Sequence, residues 1–160
     1  RVQLLRDLGP ALSPFNSFLF LQGLETLPLR IRRHSESALT VAQWLARDPR
    51  VKWVSYPGLE SHPDHAHARE VLGGFGGMVG LELKGGARAA ERFLKRLKLV
   101  THAPSLAGVE SLISEPRLTS HSRLTEEERS RLGIPDGFVR LSCGIEDAED
   151  IIADLEQALG

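Results

Sequence analysis

The sequence predicts an α+β or α/β sandwich in which helices cover one sheet mainly on one face. Three observations indicate this fold class. A long helical stretch opens the main part of the chain, strands and helices then alternate, and a helix with one apolar face closes it. We expect the uncovered face of the sheet to be reserved for another domain.

The first helical stretch follows residues 1–13, which we interpret as a connector. Ser13 suits the N-cap and Pro14 suits the first helical position. Pro28 should kink or divide the helix, and Pro49 lies beyond its end. Apolar residues at helical spacing predict one buried face, made of Leu27, Ile31, Ala38, Ala42 and Leu45.

Shorter elements follow in alternation. Short apolar or alternating runs predict strands at 51–54, 78–83, 99–100, 111–113 and 138–143. The patterns between and after them predict helices at 62–72, 87–98 and 125–132, and a last helix from Asp147. Thr125 and Glu128 form a capping-box pattern. The positions expected to face the sheet are Ala90, Phe93, Leu94 and Leu97 in one helix and Ile151, Ile152, Leu155 and Leu159 in the last.

Composition argues against several classes of protein. A chain of 160 residues with 41% hydrophobic and 26% charged residues is typical of a globular domain. The net charge of -1 argues against a nucleic-acid binder, and no apolar run reaches the roughly 20 residues that span a bilayer. The single cysteine, Cys143, excludes an internal disulfide and fits a reducing compartment, so we expect the protein to be cytoplasmic.

The start at Arg1 instead of Met indicates a processed product or part of a longer protein.

Two motifs resemble ligand sites but have simpler explanations. His62 and His65, with His67 nearby, could bind zinc from a helix, but their spacing matches no tight zinc signature. We interpret them as a solvated helix face and predict no metal site. The glycine-rich residues 73–77 follow a helix and precede a strand, whereas a phosphate loop follows a strand and opens a helix. They are better explained as a helix stop.

The last predicted strand contains both a cysteine and an arginine. Cys143 lies among apolar residues, whereas a catalytic thiolate needs an exposed, electropositive setting, so we interpret Cys143 as buried and structural. Arg140 also has apolar neighbours, and a charge in such a place needs a partner. The planar guanidinium suits a carboxylate. That carboxylate could belong to a bound ligand or to an internal Asp or Glu, or Arg140 could face solvent at an edge.

Several stretches together resemble a known family. In order, they are GLETLPLR at 23–30, YPGL at 56–59, SHP at 61–63, GGM at 76–78, SLAGVESLI at 105–113, TSH at 119–121 and VRLSCGIED at 139–147. This series resembles the C-terminal part of the pyridoxal-phosphate (PLP) enzymes of cysteine and methionine metabolism. The family includes cystathionine γ-synthase, cystathionine lyases, methionine γ-lyase and O-acetylhomoserine sulfhydrylase.

The resemblance implies a fold and a place for the cofactor. Residues 14–160 would be the C-terminal small domain of a fold-type-I enzyme, with the first long helix as its link and residues 1–13 as the connector from an upstream PLP domain. The family's Schiff-base lysine, phosphate-binding residues and stacking tyrosine lie upstream. The resemblance therefore implies that this chain holds no catalytic or cofactor-binding residue and is inactive alone. It also implies a homodimer or homotetramer.

Two residues match the substrate-binding positions of the family. Arg140 matches the arginine of the Arg-Leu-Ser-Val-Gly motif, which holds the substrate α-carboxylate. Ser105 matches the serine of the Ser-Leu-Gly-Gly motif, which helps to position that carboxylate. Cys143 replaces the usual Val, and Ala107 replaces the first Gly, which makes the loop bulkier. Pro104 stands where cystathionine-handling relatives often carry Glu.

The resemblance implies γ- or β-elimination or replacement on a sulfur amino acid or an O-acylated homoserine. Residues 13–16 and 23–28 are similar to the sulfhydrylase branch, whereas 105–113 is similar to the synthase and lyase branch. The implied partners are a small amino-acid substrate and further copies of the protein, without nucleic acid or membrane. The alternative is a non-catalytic amino-acid-binding or oligomerisation module that uses Arg140 to hold a carboxylate. The lack of a cofactor lysine is what this alternative predicts.

Overall fold

Helices and strands alternate in the described part of the chain, which comprises Gln3, Gly9 and residues 11–160 of a computed structural model. The helices are α1 (Pro14–Glu25), α2 (Leu27–Leu45), α3 (His65–Val71), α4 (Gly86–Arg96), α5 (Glu126–Arg131) and α6 (Ala148–Leu159), with a 3-10 turn at Pro116–Leu118. The strands are β1 (Val51–Ser55), β2 (Met78–Leu83), β3 (Thr101–His102), β4 (Leu112–Ser114) and β5 (Phe138–Ser142). The predicted connector, 1–13, falls for the most part outside the described residues.

The strands form one mixed sheet in the order β1-β2-β5-β4-β3. The neighbours β1/β2, β2/β5 and β5/β4 are antiparallel, and β4/β3 are parallel. Helices packed on a mostly antiparallel sheet confirm the predicted α+β class. The central strand is β5, which bears the predicted ligand residue Arg140.

One face of the sheet carries the hydrophobic core. Alternate strand residues bury apolar side chains toward this face, namely Val79, Leu81, Leu83, Ile113, Val139 and Leu141. The core is completed by residues of α2, α4 and α6, among them Ala38, Val41, Leu45, Ala90, Phe93, Ile151 and Leu155. The opposite face carries Arg140, because Arg140 lies between the inward-facing Val139 and Leu141 on β5.

The chain divides into two compact units, residues 1–30 and residues 31–160. In the first unit, the backbone N–H of Asn16 donates to Ser13 Oγ at 3.1 Å and Pro14 occupies the first turn, which confirms the predicted start of α1. The helical stretch is interrupted at Thr26, two residues before Pro28. The predicted division of the helix is therefore confirmed.

The apolar face predicted for the long helical stretch is only partly correct. Ala38, Ala42 and Leu45 are fully buried, whereas Ile31 is 43% exposed. The burial of α2 begins at His34, whose Nδ1 lies 2.7 Å from the carbonyl oxygen of Cys143 at the end of β5. Apolar residues at helical spacing also occur before His34, in a part of the helix that does not pack on the sheet. The spacing alone therefore overestimates how much of the helix is buried.

The strand predicted at 99–100 is wrong. The backbone N–H groups of Lys98, Leu99 and Val100 donate to the carboxylate of Asp154 on α6, at 2.8–2.9 Å. These amides are therefore not available to a strand ladder, and pairing starts at Thr101, whose N–H donates to the carbonyl of Ser111. The strand accordingly forms at Thr101–His102.

Other predicted elements are present with shifted ends. The helix predicted at 62–72 spans His65–Val71, since residues 60–64 form turns. The capping box at Thr125 and Glu128 is confirmed, with both reciprocal hydrogen bonds present. Among the described helices, none combines the length and the apolar character needed to cross a membrane.

Candidate functional site

Arg140 lies at the centre of the sheet, on the face opposite the helical core. In the register of the sheet it faces Gly80 of β2 and Ser114 of β4. Its side chain is half-buried and borders a groove whose other walls include Trp53 and Phe138, which stack with their ring centroids 5.5 Å apart. A cation in an apolar and aromatic setting keeps less of its hydration, so a carboxylate partner would gain more there than at an open surface.

The guanidinium of Arg140 has one hydrogen bond to the rest of the described chain. Its Nη2 donates to the carbonyl oxygen of Pro104 at 2.9 Å. Among residues 11–160, no carboxylate lies within ion-pair distance of Arg140. Of the alternatives open from the sequence, an internal ion pair to a described residue is therefore not observed. A guanidinium has five N–H donors, so this one retains the fork that binds a carboxylate at two points.

Ser105 follows Pro104 in the chain and is exposed, so the contact between Arg140 and Pro104 brings the two predicted residues into one neighbourhood. Both belong to a segment we call the 104–108 loop. The same loop is held a second time, because the backbone N–H of Ala107 donates to Ser142 Oγ at 3.0 Å. The roles of Arg140 and Ser105 toward a substrate remain predictions.

Ala107 adopts a left-handed backbone conformation, with a φ of 61°. For an L-residue this conformation costs about 1–2 kcal/mol, because Cβ approaches the following carbonyl oxygen. Glycine adopts this conformation without that contact, which agrees with the Gly of the motif that residues 105–108 resemble. We infer that the loop keeps its shape against a local strain at Ala107.

Replacing Ala107 with glycine is expected to raise the free energy of unfolding by up to about 1 kcal/mol, since Gly adopts a positive φ without this contact but has more freedom in the unfolded chain. Chemical denaturation measures the change. The matched control is Ala153→Gly in the middle of α6, which should lower stability by about 1 kcal/mol because the backbone there is helical. Equal losses in both variants would contradict the strain at Ala107.

A second polar cluster joins Ser111, which directly precedes β4, to the residues that follow β5. The carboxylate of Glu146 accepts hydrogen bonds from the backbone N–H of Ser111 at 2.6 Å and from its hydroxyl at 2.9 Å. Ser111 Oγ in turn accepts from the backbone N–H of Gly144 at 2.8 Å. Ser111 is fully buried. The cluster therefore joins the segment before β4 to the turn after β5.

Cys143 is buried, as predicted. Burial raises the pKa of its thiol to about 12, with a further contribution from the negative charge of Glu146. The side chain therefore stays a protonated thiol at physiological pH and lacks the thiolate that nucleophilic catalysis requires. This setting agrees with the interpretation of Cys143 as structural.

The histidine cluster has local contacts in this structure. His62 Nε2 lies 3.4 Å from Ser55 Oγ, and His65 Nδ1 lies 2.8 Å from the carbonyl oxygen of Pro57 while its ring stacks on Phe75. His65 is therefore partly packed instead of forming a solvated face. Within the described residues, no group of three or more His, Cys, Asp or Glu side chains is placed to hold a metal ion.

A PLP enzyme needs a lysine for the Schiff base, usually desolvated so that its pKa falls. The four lysines of the chain, Lys52, Lys84, Lys95 and Lys98, are all exposed. Lys52 also forms an ion pair with Glu82 at 2.9 Å. The described residues therefore do not fit a cofactor lysine site.

Sequence reasoning did not single out Ser142 or the Ser111–Glu146 pair. Ser142 had a detectable signal, because the period of two in a strand puts it on the same face as Arg140. The sequence around Glu146 does not indicate its partner, because Ser111 is 35 residues away. Contacts between residues so far apart depend on which strands become neighbours in the sheet.

Comparison with known proteins gives one family and several similar relatives. The family model described as Cys/Met metabolism PLP-dependent enzyme matches residues 1–160. The O-acetyl-L-homoserine sulfhydrylase of Leptospira meyeri is 48% identical over 99% of this chain. The cystathionine beta-lyase of Coxiella burnetii is 49% identical over 95%, and the cystathionine gamma-synthase of Mycobacterium leprae is 50% identical over 94%.

These relatives are longer than the chain. The matched region covers 36% of the Leptospira protein, 39% of the Coxiella protein and 38% of the Mycobacterium protein. Their names describe three different reactions, yet their identities to this chain differ by no more than two percentage points. Overall identity in this region therefore does not distinguish one reaction from another.

Proposed function

This chain belongs to the Cys/Met metabolism PLP-dependent enzyme family, and we propose that it supplies the seat for the substrate α-carboxylate in an enzyme of sulfur amino-acid metabolism. In this proposal, Arg140 binds the carboxylate through its guanidinium and Ser105 helps to orient it. The reaction is an elimination or replacement at the β or γ carbon of a sulfur amino acid or an O-acylated homoserine.

The observation that carries the proposal is the setting of Arg140. Its guanidinium lies on the sheet face away from the core, and within the described residues it donates to the carbonyl of Pro104 and not to a carboxylate. A half-buried cation with free donors favours binding of an external anion. Holding an amino acid at its carboxylate fixes the orientation of the bonds at Cα, and positioning of this kind lowers reaction barriers.

The rest of the protein completes the proposal. We infer that PLP, which acts as an electron sink in amino-acid chemistry, is bound by residues outside this chain, because the lysines here are exposed. Residues 14–160 then act as the C-terminal small domain of a fold-type-I enzyme, joined through residues 1–13 to an upstream PLP domain. A cytoplasmic homodimer or homotetramer is the assembly we propose.

The proposal is tested by comparing the natural protein with the 160-residue chain alone. We expect the natural protein to have a denatured mass more than twice 17.6 kDa, and borohydride reduction to fix a pyridoxyl group on one of its lysines. The isolated chain should carry no such label. Stoichiometric labelling of Lys52, Lys84, Lys95 or Lys98 would contradict the assignment of the cofactor to residues outside the chain.

The same measurement separates the alternative function. A natural protein with a mass near 17.6 kDa and no labelled lysine would favour a non-catalytic amino-acid-binding or oligomerisation module. The observation in favour of that module is the exposure of every lysine in the chain. Binding of an amino acid through Arg140 would then be its expected activity.

A further inference from the structure

The 104–108 loop is fastened to β5 at two points. One is the hydrogen bond from Arg140 Nη2 to the carbonyl of Pro104, at 2.9 Å. The other is the hydrogen bond from the backbone N–H of Ala107 to Ser142 Oγ, at 3.0 Å. Arg140 and Ser142 are two residues apart on one strand and therefore share a face of the sheet. Ser105 lies in the loop between the two anchors.

The two anchors differ in what else they do. Arg140 is half-buried and its guanidinium has donors to spare, so it can bind a ligand as well as the loop. Ser142 is only 2% exposed, and its hydroxyl accepts a hydrogen bond from Ala107. It is therefore out of reach of a ligand in solution. An effect of its hydroxyl on ligand binding would therefore be indirect, and the group that this hydroxyl contacts is the backbone of the loop at Ala107.

The hydroxyl of Ser142 matters because of the backbone at Ala107. A left-handed alanine is strained, and the N–H of Ala107 donates to Ser142 Oγ. Without that acceptor the N–H loses its partner beside the sheet, and the loop is free to relax to a conformation that satisfies the N–H elsewhere. Relaxation would move Ser105, which is two residues away.

We propose that Ser142 is a positioning residue. Its buried hydroxyl holds the 104–108 loop in a position from which Ser105 and the guanidinium of Arg140 can bind the same carboxylate. This inference rests on the proposed function, since it assumes that Arg140 and Ser105 form the carboxylate seat. The inference assigns a role to a residue that contacts neither substrate nor cofactor. By holding the loop, Ser142 would raise the affinity for ligands that carry the carboxylate.

The test compares two ligands on the full-length enzyme. L-norleucine has an α-carboxylate and no leaving group, and pentylamine is the same skeleton without the carboxylate. Dissociation constants are measured by calorimetry, which needs no turnover. Loss of one hydrogen bond of about 1.4 kcal/mol corresponds to a tenfold change. We therefore expect Ser142→Ala to weaken norleucine binding about tenfold and to change pentylamine binding less than twofold.

Two further variants control for burial and folding. Ser37→Ala removes a hydroxyl on α2 that is similarly buried, 1% exposed, and that donates to the carbonyl of Glu146 at 3.5 Å instead of contacting the loop. It should leave both dissociation constants within twofold. Ser142→Cys keeps the size of the side chain with a weaker acceptor, so its norleucine affinity should lie between those of the native enzyme and Ser142→Ala.

The outcomes separate this inference from the proposed function. If Ser142→Ala leaves norleucine binding unchanged, or weakens both ligands equally, Ser142 does not position the carboxylate seat. Arg140→Ala is measured in the same series. A selective loss of norleucine binding in Arg140→Ala alone would retain the proposed function and overturn the role of Ser142. No selective loss in either variant would overturn both.

Discussion

Replacing Arg140 with alanine in the full-length enzyme is expected to lower kcat/KM for its amino-acid substrate by the equivalent of about 2–5 kcal/mol, the usual result of truncating one partner of a desolvated charge pair. Arg140 is half-buried and its guanidinium lacks a carboxylate partner among the described residues, so a substrate carboxylate would lose its main cationic contact. Cofactor content should not change. Steady-state kinetics and the cofactor absorbance measure the two quantities.

The control for Arg140→Ala is Arg50→Ala. Arg50 is also half-buried, but its guanidinium is already paired with the carboxylate of Asp48 at 2.6 Å. That hydrogen bond lowers the pKa of Asp48, against the opposing effect of burial, so the pair contributes to folding instead of binding. Arg50→Ala should therefore reduce stability and leave KM near its native value. An unchanged kcat/KM in Arg140→Ala would refute the carboxylate seat.

Replacing Asp154 with alanine is expected to lower the free energy of unfolding by about 3 kcal/mol, because buried amides that lose a charged acceptor cost about 1–3 kcal/mol each. Asp154 is 7% exposed, and its carboxylate accepts from the N–H groups of Lys98, Leu99 and Val100. Some of that cost is recovered by water, because Lys98 and Leu99 are exposed. Urea denaturation measures the change.

The pH dependence of stability tests the same contact. Burial alone would raise the pKa of Asp154, but the three backbone donors and Gln157 lower it below the ordinary value of 3.8. The folded state therefore binds the proton less tightly than the unfolded state. The stabilisation is complete above the ordinary pKa and is lost as the pH falls through the folded pKa.

The stability difference between the native protein and Asp154→Asn should accordingly shrink as the pH falls below about 4. Glu156→Gln is the matched control, because Glu156 is exposed on the same helix. It should cost less than about 0.5 kcal/mol, as surface substitutions usually do. A difference at Asp154 that stays constant down to acidic pH would show that its charge is not what holds the backbone of residues 98–100.

The errors in the fold prediction have the same physical origin as the Asp154 contact. The strand expected at 99–100 is displaced because its amides are used by a carboxylate more than 50 residues away. Ile31 is exposed although its spacing is helical, because α2 reaches the core only from His34. In both cases the local pattern was real, and a distant element decided whether it was buried or paired.

The candidate site shows the same division. The alternation of β5 predicted that Arg140 and Cys143 lie on opposite faces, and the burial of Cys143 agrees with it. The apolar neighbours of Arg140 predicted that it needs a partner. The contact with Pro104, the anchor at Ser142 and the Glu146 cluster could not be predicted, because each joins residues 33–36 positions apart.

Residue spacing and residue chemistry were sufficient to predict the α+β class, most of the helices and strands, the break near Pro28 and the need of Arg140 for a partner, whereas the choice of Ser105 came from the family resemblance. These features depend on interactions within about one turn of a helix or along one strand, which the order of residues reports directly. The strand order, the loop fastened to β5 and the capping of residues 98–100 required the folded structure. They depend on which distant groups meet after the chain has buried its apolar faces, and buried donors and acceptors then pair with whatever lies nearest.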